Sequence, residues 1–291
     1  MDVILTMCSL VLLFIGSHVG LTLRPVRSRL AAALGEWGFL ALYFAVAAAS
    51  FTAATVYYAD HRLDGPPGLA LGDVAALRPL LIFAAVAGVV AMVASFSSYP
   101  RSPYSLAGGS ARREPRGFER VTRHPFFAGM ALFATAHALL ATHLIGTVLM
   151  LGLAALSIVG PWHQDRKLAR LRGEGFTEYL RATSAVPFAA IAAGRQVLAW
   201  RELPLGALAA GLAIAVGLRG VHEEIFAHRG AAVVAVTVGG AAVIALVSWL
   251  RTRRTAPPAG TPRGRVGSDI TGSSARSSAA RSSAARSSAA R

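Results

Sequence analysis

The chain has 291 residues, of which 54% are hydrophobic and only 15% charged, and its mean hydropathy is +0.53. A soluble domain of this length cannot bury so much apolar surface, so the composition excludes a soluble globular protein. The net charge of +15 would suggest a nucleic-acid partner on a soluble face, but the basic residues lie between apolar blocks and in residues 251–291, so no nucleic-acid partner is expected.

Apolar segments long enough to cross a bilayer, which takes about 20 residues, recur along the chain. They run from Val3 to Leu23, Trp37 to Tyr58, Leu77 to Ser98, Pro125 to about Leu140, Ile145 to Trp162, Leu203 to Leu218 and Ala231 to Leu250. The sixth is short, and a re-entrant segment is its alternative interpretation. The sequence therefore predicts an all-α polytopic bundle of six to seven transmembrane spans that contacts membrane lipid.

The basic loops indicate an orientation. Loops rich in Arg and Lys follow the first, third and fifth spans, whereas residues 59–76 and 219–230 have little excess positive charge. Because basic loops stay on the cytoplasmic side, we expect the N-terminus outside and the residues from Arg251 onward in the cytoplasm. A re-entrant sixth segment would place that tail on the other side. The expected location is the inner membrane of a bacterium.

The C-terminal tail differs in composition from the rest. Residues 251–291 hold nine arginines against Asp269, so they contribute +8 of the +15, and a Ser-Ser-Ala-Ala-Arg repeat runs to Arg291. Such a low-complexity basic segment has no apolar period and is predicted to be disordered. We therefore divide the chain into a main transmembrane domain, 1–200, additional transmembrane helices, 201–254, and a disordered tail, 255–291.

A second polar region follows the fifth span. The charged half of residues 163–184 is predicted to form a cytoplasmic helix, and Val186 to Ile191 is too short to span, so it should lie in the interface or fold back onto the bundle. Arg123, Arg181 and Arg195 face the same side as this region and would suit an anionic group such as a haem propionate. Solvated positive charges on the cytoplasmic side are the alternative.

Histidines within apolar spans mark candidate functional positions, because membrane interiors tolerate few ionisable side chains. His18 lies in the first span and His137 in the fourth, each one helical turn after a phenylalanine. Two imidazoles with apolar and aromatic neighbours on different helices suit a haem pocket, whereas a hydrogen bond to a neighbouring helix is the alternative for each. Their backbones are expected to differ in depth by about 10 Å, which tilt and side-chain reach would have to bridge. His124 begins the fourth span, about 220° around the helix from His137.

Residues 222–228 read His-Glu-Glu-Ile-Phe-Ala-His, which does not match a working metalloprotease motif because Phe226 stands where the second zinc-binding histidine is needed. We interpret this stretch as a polar loop. Gly-rich phosphate loops, Cys-x-x-Cys pairs and Gly-x-Ser-x-Gly elbows do not occur in the sequence, which argues against nucleotide hydrolysis, thiol redox chemistry and esterase chemistry.

Four separated motifs occur in an order that resembles the NnrU family of membrane proteins, which includes the plant and cyanobacterial 15-cis-zeta-carotene isomerases. They are Phe14 to His18, Thr122 to Pro125, Ala136-His137 and Thr183 to Ile191. Gly173-Glu174-x-Phe176 and Gly194-Arg195-Gln196 are closer to the isomerase branch. The resemblance covers about residues 5–200, and the span and tail beyond it look additional.

The resemblance implies a polytopic haem b protein. In the isomerases a histidine-ligated haem catalyses cis-to-trans isomerisation of the central double bond of a carotenoid, so a hydrophobic small-molecule substrate would enter from the lipid phase. The implied ligands of the iron, and the implied catalytic residues, are His18 and His137. His124, Arg123 and Arg195 would lie at the haem edge. The bacterial branch is associated by name with nitric oxide and nitrite reduction, which is a second possible role.

A rival of another class shares part of the pattern. Arg123-His124-Pro125-x-Phe127-x-Gly129, followed by Gly175-Phe176-x-Glu178-Tyr179, resembles membrane methyltransferases of the isoprenylcysteine type, which bind S-adenosylmethionine there. Those enzymes usually carry paired acids before the second stretch, where this chain has Gln164-Asp165. His18 has no role in that interpretation.

Overall fold

Ten α-helices and three short 3-10 turns account for the regular structure of residues 3–105 and 114–255, the part of the chain that this computed structural model describes. The helices are α1 (Val3–Gly20), α2 (Arg24–His61), α3 (Leu77–Ser98), α4 (Phe118–Val121), α5 (Pro125–Leu140), α6 (Leu144–Arg172), α7 (Glu174–Ala182), α8 (Ala189–Ala192), α9 (Leu205–Gly220) and α10 (Ala227–Thr255). The turns are Leu71–Asp73, Tyr99–Arg101 and Trp200–Glu202. Within those ranges no β-strand forms, so the all-α prediction is confirmed.

Membrane-length helices make up most of the bundle. Five of the described helical segments are long and apolar enough to cross a bilayer: Val3–Gly20, Arg24–His61, Leu77–Arg101, Leu144–Arg172 and Ala227–Val247. Two shorter apolar helices, Pro125–Leu140 and Leu205–Gly220, correspond to the fourth and sixth predicted spans. The predicted transmembrane bundle is thus confirmed, while the side on which each end lies stays a prediction.

Two helices extend well beyond their predicted bounds. A non-helical backbone at Gly35, with φ 73°, separates an initial basic segment of α2 from the apolar part that begins near Trp37. The fifth span was predicted to end at Trp162, but α6 continues to Arg172. Asp165 therefore lies on the continuation of α6, whereas the sequence predicts a separate cytoplasmic helix for this charged stretch.

Close helix contacts organise the bundle around α3, α5 and α6. α3 packs against both α5 and α9, α5 also packs against α6, and α6 contacts α1, which in turn lies on α2. Small residues permit the α3–α5 contact: a Cβ added at Gly129 would lie 2.6 Å from the carbonyl oxygen of Gly88. Membrane helices commonly approach through small residues, since lipid supplies no hydrophobic force between them.

This contact yields a prediction. Gly129→Ala places a methyl group against backbone atoms that cannot rotate away, so we expect it to lower stability by about 1–3 kcal/mol, visible as a lower midpoint of thermal unfolding in detergent. Gly16→Ala is the matched control, because no atom lies within 4 Å of the added Cβ and alanine favours the helix by about 0.5–1 kcal/mol. Equal midpoints for the two variants would show that the α3–α5 approach is looser than described.

The apolar stretch from Val186 to Ile191 folds back onto the protein. Phe188 takes a left-handed backbone conformation, φ 62°, and its N–H donates to the carbonyl of Val121 at 2.9 Å. The short helix α8 then packs on α4, with Ala190 fully buried. This arrangement agrees with the fold-back that the sequence allowed.

The predicted disordered tail, residues 255–291, lies outside the described residues except for Thr255. The described residues up to Arg251 form one compact unit, and α9 belongs to it through its contact with α3. The division of the transmembrane part at residue 200 is a prediction that these contacts leave open.

The bundle has two ends, which we name by a residue at each. At the Asp165 end, α5 begins beside the last part of α6, and Thr22, just after α1, reaches His163. At the His137 end, α5 ends and residues 66–70 pair with the α5–α6 link through hydrogen bonds such as Gly68 N–H to the Thr142 carbonyl, 2.9 Å.

Candidate functional site

Asp165 is the centre of a buried polar cluster at the Asp165 end. One carboxylate oxygen, Oδ2, accepts from Arg123 Nη2 at 2.6 Å and Nε at 2.9 Å, and the other, Oδ1, accepts from His124 Nε2 at 2.8 Å and Tyr104 Oη at 2.5 Å. The Asp165 side chain is only 7% exposed. We call Tyr104, Arg123, His124 and Asp165 the carboxylate cluster. It joins the loop after α3, the start of α5 and the end of α6.

Aromatic rings shield this cluster from water. The ring of Tyr104 lies 4.3 Å from His124 and 5.7 Å from Phe176, and Tyr179 completes the group at 6.5 Å. Phe176 and Tyr179 are the buried face of α7. Burial, together with the adjacent Asp165 carboxylate, raises the pKa of Tyr104 far above its usual range, so its hydroxyl remains a hydrogen-bond donor.

His124 is neutral in this setting. It is 4% exposed, and burial lowers its pKa from 6.5 against the opposing effect of Asp165. A carboxylate only accepts hydrogen bonds, so Nε2 of the neutral ring carries the proton. The cluster therefore contains one negative charge, Asp165, and one positive charge, Arg123.

The lowered pKa of His124 gives a pH prediction. The folded state binds a proton on this ring less readily than the unfolded state, so the associated stability is present above pH 6.5 and is lost as the pH falls through the lowered folded-state value. We expect the midpoint of thermal unfolding to drop between pH 7.5 and 5.5, and to drop less in His124→Gln, whose amide can still donate to Asp165. An identical pH dependence in both proteins would refute a neutral His124.

Arginine donors near the cluster have protein partners. Besides Asp165, Arg123 donates through Nη1 to the Thr183 carbonyl at 3.1 Å, and Arg195 Nη1 donates to the carbonyls of Arg181 and Thr183 at 2.5 and 3.2 Å. The structure thus places Arg123, His124 and Arg195 close together and pairs them with protein acceptors. Their predicted role at a haem edge stays a prediction.

Two of the sequence motifs meet here. Arg123 N–H donates to the Ser184 carbonyl at 2.9 Å, and Thr122 Oγ1 donates to the Ala185 carbonyl at 2.9 Å. The start of α5 is therefore tied both to α6 through Asp165 and to residues 183–185, which fixes its position and rotation.

His18 belongs to the same half of the bundle. Its ring lies 4.8 Å from Phe14 and 5.2 Å from Tyr43 on α2, and its Nδ1 is buried without a hydrogen-bond partner among the described residues. One turn further along, Thr22 lies 3.2 Å from His163 Nε2. His18 therefore lies about one helical turn from the level of His163 on α6.

His137 lies at the opposite end. Its Nδ1 is 2.9 Å from the carbonyl oxygen of Phe133, and its ring faces that of His222, with 6.3 Å between ring centres and 22° between ring planes. His222 lies in the turn between α9 and α10, the stretch interpreted as a polar loop.

Contacts along α6 measure the separation of the two predicted ligands. Val11 packs at Gly152 and Thr22 reaches His163, so His18 is level with about residue 159 of α6. Thr147 Oγ1 donates to the Ala138 carbonyl at 3.2 Å, which places His137 near residue 148. Eleven residues of helix correspond to about 16 Å. Because metal–imidazole bonds are only about 2 Å long, the structure does not bring His18 and His137 to one ion.

Sequence reasoning missed three residues that the structure brings to these sites: Asp165, Tyr104 and His222. Asp165 had one signal, since an acid so close to the end of an apolar span needs a partner. Tyr104 and His222 follow from tertiary contacts across 61 and 85 residues of chain, and no local pattern marks them.

Comparisons with known proteins confirm the family but not the extent of the resemblance. The family model "NnrU protein" matches residues 6–252, a range that includes α9 and most of α10, so the expectation that the resemblance ends near residue 200 is wrong. The chain is 33% identical over 199 residues to the chloroplastic 15-cis-zeta-carotene isomerase of Arabidopsis thaliana, covering 66% of this chain and 52% of that one. It is 29% identical over 171 residues to the enzyme of the same name from Zea mays, covering 57% and 45%. The chain thus spans about half the length of these curated relatives. No solved structure matches.

Proposed function

Because this chain belongs to the NnrU family, we propose that it is a haem-dependent cis–trans isomerase that acts within the membrane on a carotenoid-like polyene. The two isomerases that it resembles support the reaction and the substrate class. Haem b is the cofactor that the resemblance implies, and the chain's own residues must be able to hold it.

The observation that best supports the proposal is the tautomer of the His137 ring. A carbonyl oxygen only accepts, so the 2.9 Å contact with Phe133 fixes the proton on Nδ1 and leaves the lone pair on Nε2. Histidines that bind metals generally donate their other ring N–H to a carbonyl or carboxylate in this way. His137 could therefore hold the iron of a haem through Nε2.

The protein around His137 restricts the movement of its ring. Phe133 packs on the imidazole, with ring centres 4.1 Å apart, and restricts its rotation. When bound, the haem supplies an iron centre that can interact with a polyene double bond. The apolar bundle supplies the dry surroundings in which a long hydrocarbon substrate is soluble.

The carboxylate cluster contributes by orienting α5. It fixes the start of this helix, at Arg123 and His124, against α6 and residues 183–185. The rotation of α5 about its axis then determines the direction in which His137, more than three turns further on, presents Nε2. We assign Asp165 and Tyr104 as positioning residues, since neither lies near His137.

Product analysis in cells tests the proposed reaction. In a bacterial strain that accumulates a 15-cis polyene, expression of this chain should convert the 15-cis isomer to the 15-trans isomer, and expression of His137→Ala should not. His143→Ala, which removes a nearby imidazole whose hydrogen-bond partner among the described residues is its neighbour Thr142, should retain the activity. Unchanged isomer composition with well-expressed protein would refute the isomerase and favour the role in nitrogen-oxide metabolism that the family name suggests.

A membrane methyltransferase is the second candidate, because both halves of its sequence pattern meet in the structure. Phe176 and Tyr179 lie around Tyr104, which contacts His124 directly. In this chain, however, the polar groups between them satisfy one another through Asp165. Micromolar binding of S-adenosylmethionine to the purified protein, measured by calorimetry, would favour this candidate over the isomerase.

A further inference from the structure

We propose that the protein binds an anionic phospholipid at a surface formed by residues 24–34, the first part of α2, and residues 162–172, the last part of α6. We call this the basic surface. It lies at the Asp165 end of the bundle, and the group it binds is the phosphate headgroup of a lipid such as phosphatidylglycerol. This inference does not depend on the proposed haem function.

The first support is an excess of positive charge. The two stretches contain seven cationic side chains, which are Arg24, Arg27, Arg29, Arg166, Lys167, Arg170 and Arg172. The acids beside them are Asp165 and, just after the first stretch, Glu36. Asp165 is already paired with Arg123 at 2.6 Å, and Glu36 with Arg27 at 2.6 Å. The surface therefore complements the negative potential of an anionic lipid layer.

Contacts between the two stretches bring the charges together. Thr22 Oγ1, just before α2, lies 3.2 Å from Nε2 of His163 on α6. Lys167 is one turn further along the same face of α6. Its ammonium group interacts electrostatically with both Arg27 and Glu36. Two cations that share one carboxylate leave a positive charge uncompensated, which suits a single phosphate.

Arg27 has hydrogen-bonding capacity left for that phosphate. Its guanidinium lies 5.3 Å from the centre of the Phe39 ring, which holds the side chain in place while Nη2 donates to Glu36. Nε is buried without an acceptor among the described residues, and the side chain as a whole is 30% exposed. A guanidinium fits a phosphate group in geometry as well as in charge. We therefore assign Arg27 and Lys167 as the headgroup ligands.

The acyl chains of the lipid have an apolar face to contact. Leu23, Val26, Leu30 and Leu34 recur at helical spacing along the first stretch, and all but Leu30 are exposed. The stretch connects α1 with the apolar part of α2, both long enough to span a bilayer, so it lies at the membrane boundary. A helix with basic residues beside an exposed apolar face is typical of the membrane interface.

Solvated basic side chains are the competing interpretation, since the cytoplasmic ends of membrane proteins commonly carry them. The two interpretations differ in headgroup selectivity. Native mass spectrometry of the full-length protein in detergent, titrated with dioleoylphosphatidylglycerol or dioleoylphosphatidylcholine, measures the affinity for each lipid. These lipids have the same acyl chains and differ in headgroup charge.

We expect phosphatidylglycerol to bind at least about tenfold more tightly than phosphatidylcholine, because each Lys or Arg near an anionic lipid contributes about fivefold in affinity. Arg27→Gln and Lys167→Gln should each weaken phosphatidylglycerol binding by about fivefold. Lys167→Arg, which keeps the charge, should bind like the wild type. Unchanged binding of phosphatidylcholine by all three variants shows that they are folded.

Arg78→Gln is the matched control, since it removes an exposed arginine at the start of α3, which lies at the His137 end. It should bind phosphatidylglycerol like the wild type. Equal affinities of the wild-type protein for the two lipids would overturn the proposal. Equal losses of phosphatidylglycerol binding in Lys167→Gln and Arg78→Gln would also overturn it, because the attraction would then come from net charge and not from the basic surface.

Discussion

Asp165→Ala is expected to lower the stability of the protein by about 3–5 kcal/mol, which is typical of breaking a buried ion pair from one side. The substitution leaves the Arg123 guanidinium without its counter-ion in a site where Arg123 is only 14% exposed. His124 and Tyr104 lose their acceptor at the same time. Thermal unfolding in detergent, followed by circular dichroism, measures the change. The stability of Asp165→Asn should lie between those of the wild type and Asp165→Ala, because the amide oxygen can still accept a hydrogen bond.

Asp60→Ala is the matched control for this substitution. Asp60 is also paired with an arginine, Arg229, but that arginine is 68% exposed. Exposed ion pairs contribute about 1 kcal/mol or less, so this variant should unfold almost like the wild type. If Asp165→Ala were no less stable than Asp60→Ala, the carboxylate cluster would not anchor the start of α5, and the positioning role assigned to Asp165 would fail.

His137→Ala is expected to have the second large effect, the loss of bound haem. Removing the ligand whose tautomer is fixed by Phe133 should reduce the haem content of the purified protein by more than about tenfold, since even the residues that only orient a ligand alter metal affinity by about 10–100-fold. The pyridine haemochrome assay gives the haem content per chain. A normal unfolding transition of the apoprotein shows that the loss is not caused by misfolding.

Comparison with one further variant, His18→Ala, assigns the ligand. His18→Ala should retain haem, because His18 lies in the other half of the bundle beside Tyr43. Retention of haem by His137→Ala together with its loss in His18→Ala would reverse the assignment. It would then place the cofactor at the Asp165 end.

The transmembrane architecture could be predicted from the sequence because each span carries its own signal. An apolar run of sufficient length between basic loops specifies a helix without reference to the rest of the fold. Pro125 at the first position of α5 and Gly35 at the bend of α2 act locally as well. The end of α6 was missed because its last turns are charged, and a hydropathy criterion stops where the helix leaves the bilayer.

The candidate site could be predicted only in part. The motif around Arg123 and His124 identified the residues but not their partner, since Asp165 lies 41 residues beyond His124. Helical periodicity correctly separated His124 from His137 on α5. It could not determine which helix faces His137, because that depends on the packing of α3 between α5 and α9. The contact between His222 and His137 could therefore be found only in the three-dimensional structure.

The most direct test of the account is the optical absorption spectrum of the detergent-purified wild-type protein, recorded oxidised and after reduction. We predict a Soret band with a stoichiometry approaching one haem per chain, and sharpened bands at longer wavelength on reduction. Well-folded protein purified from haem-replete cells that shows no Soret band would contradict the account.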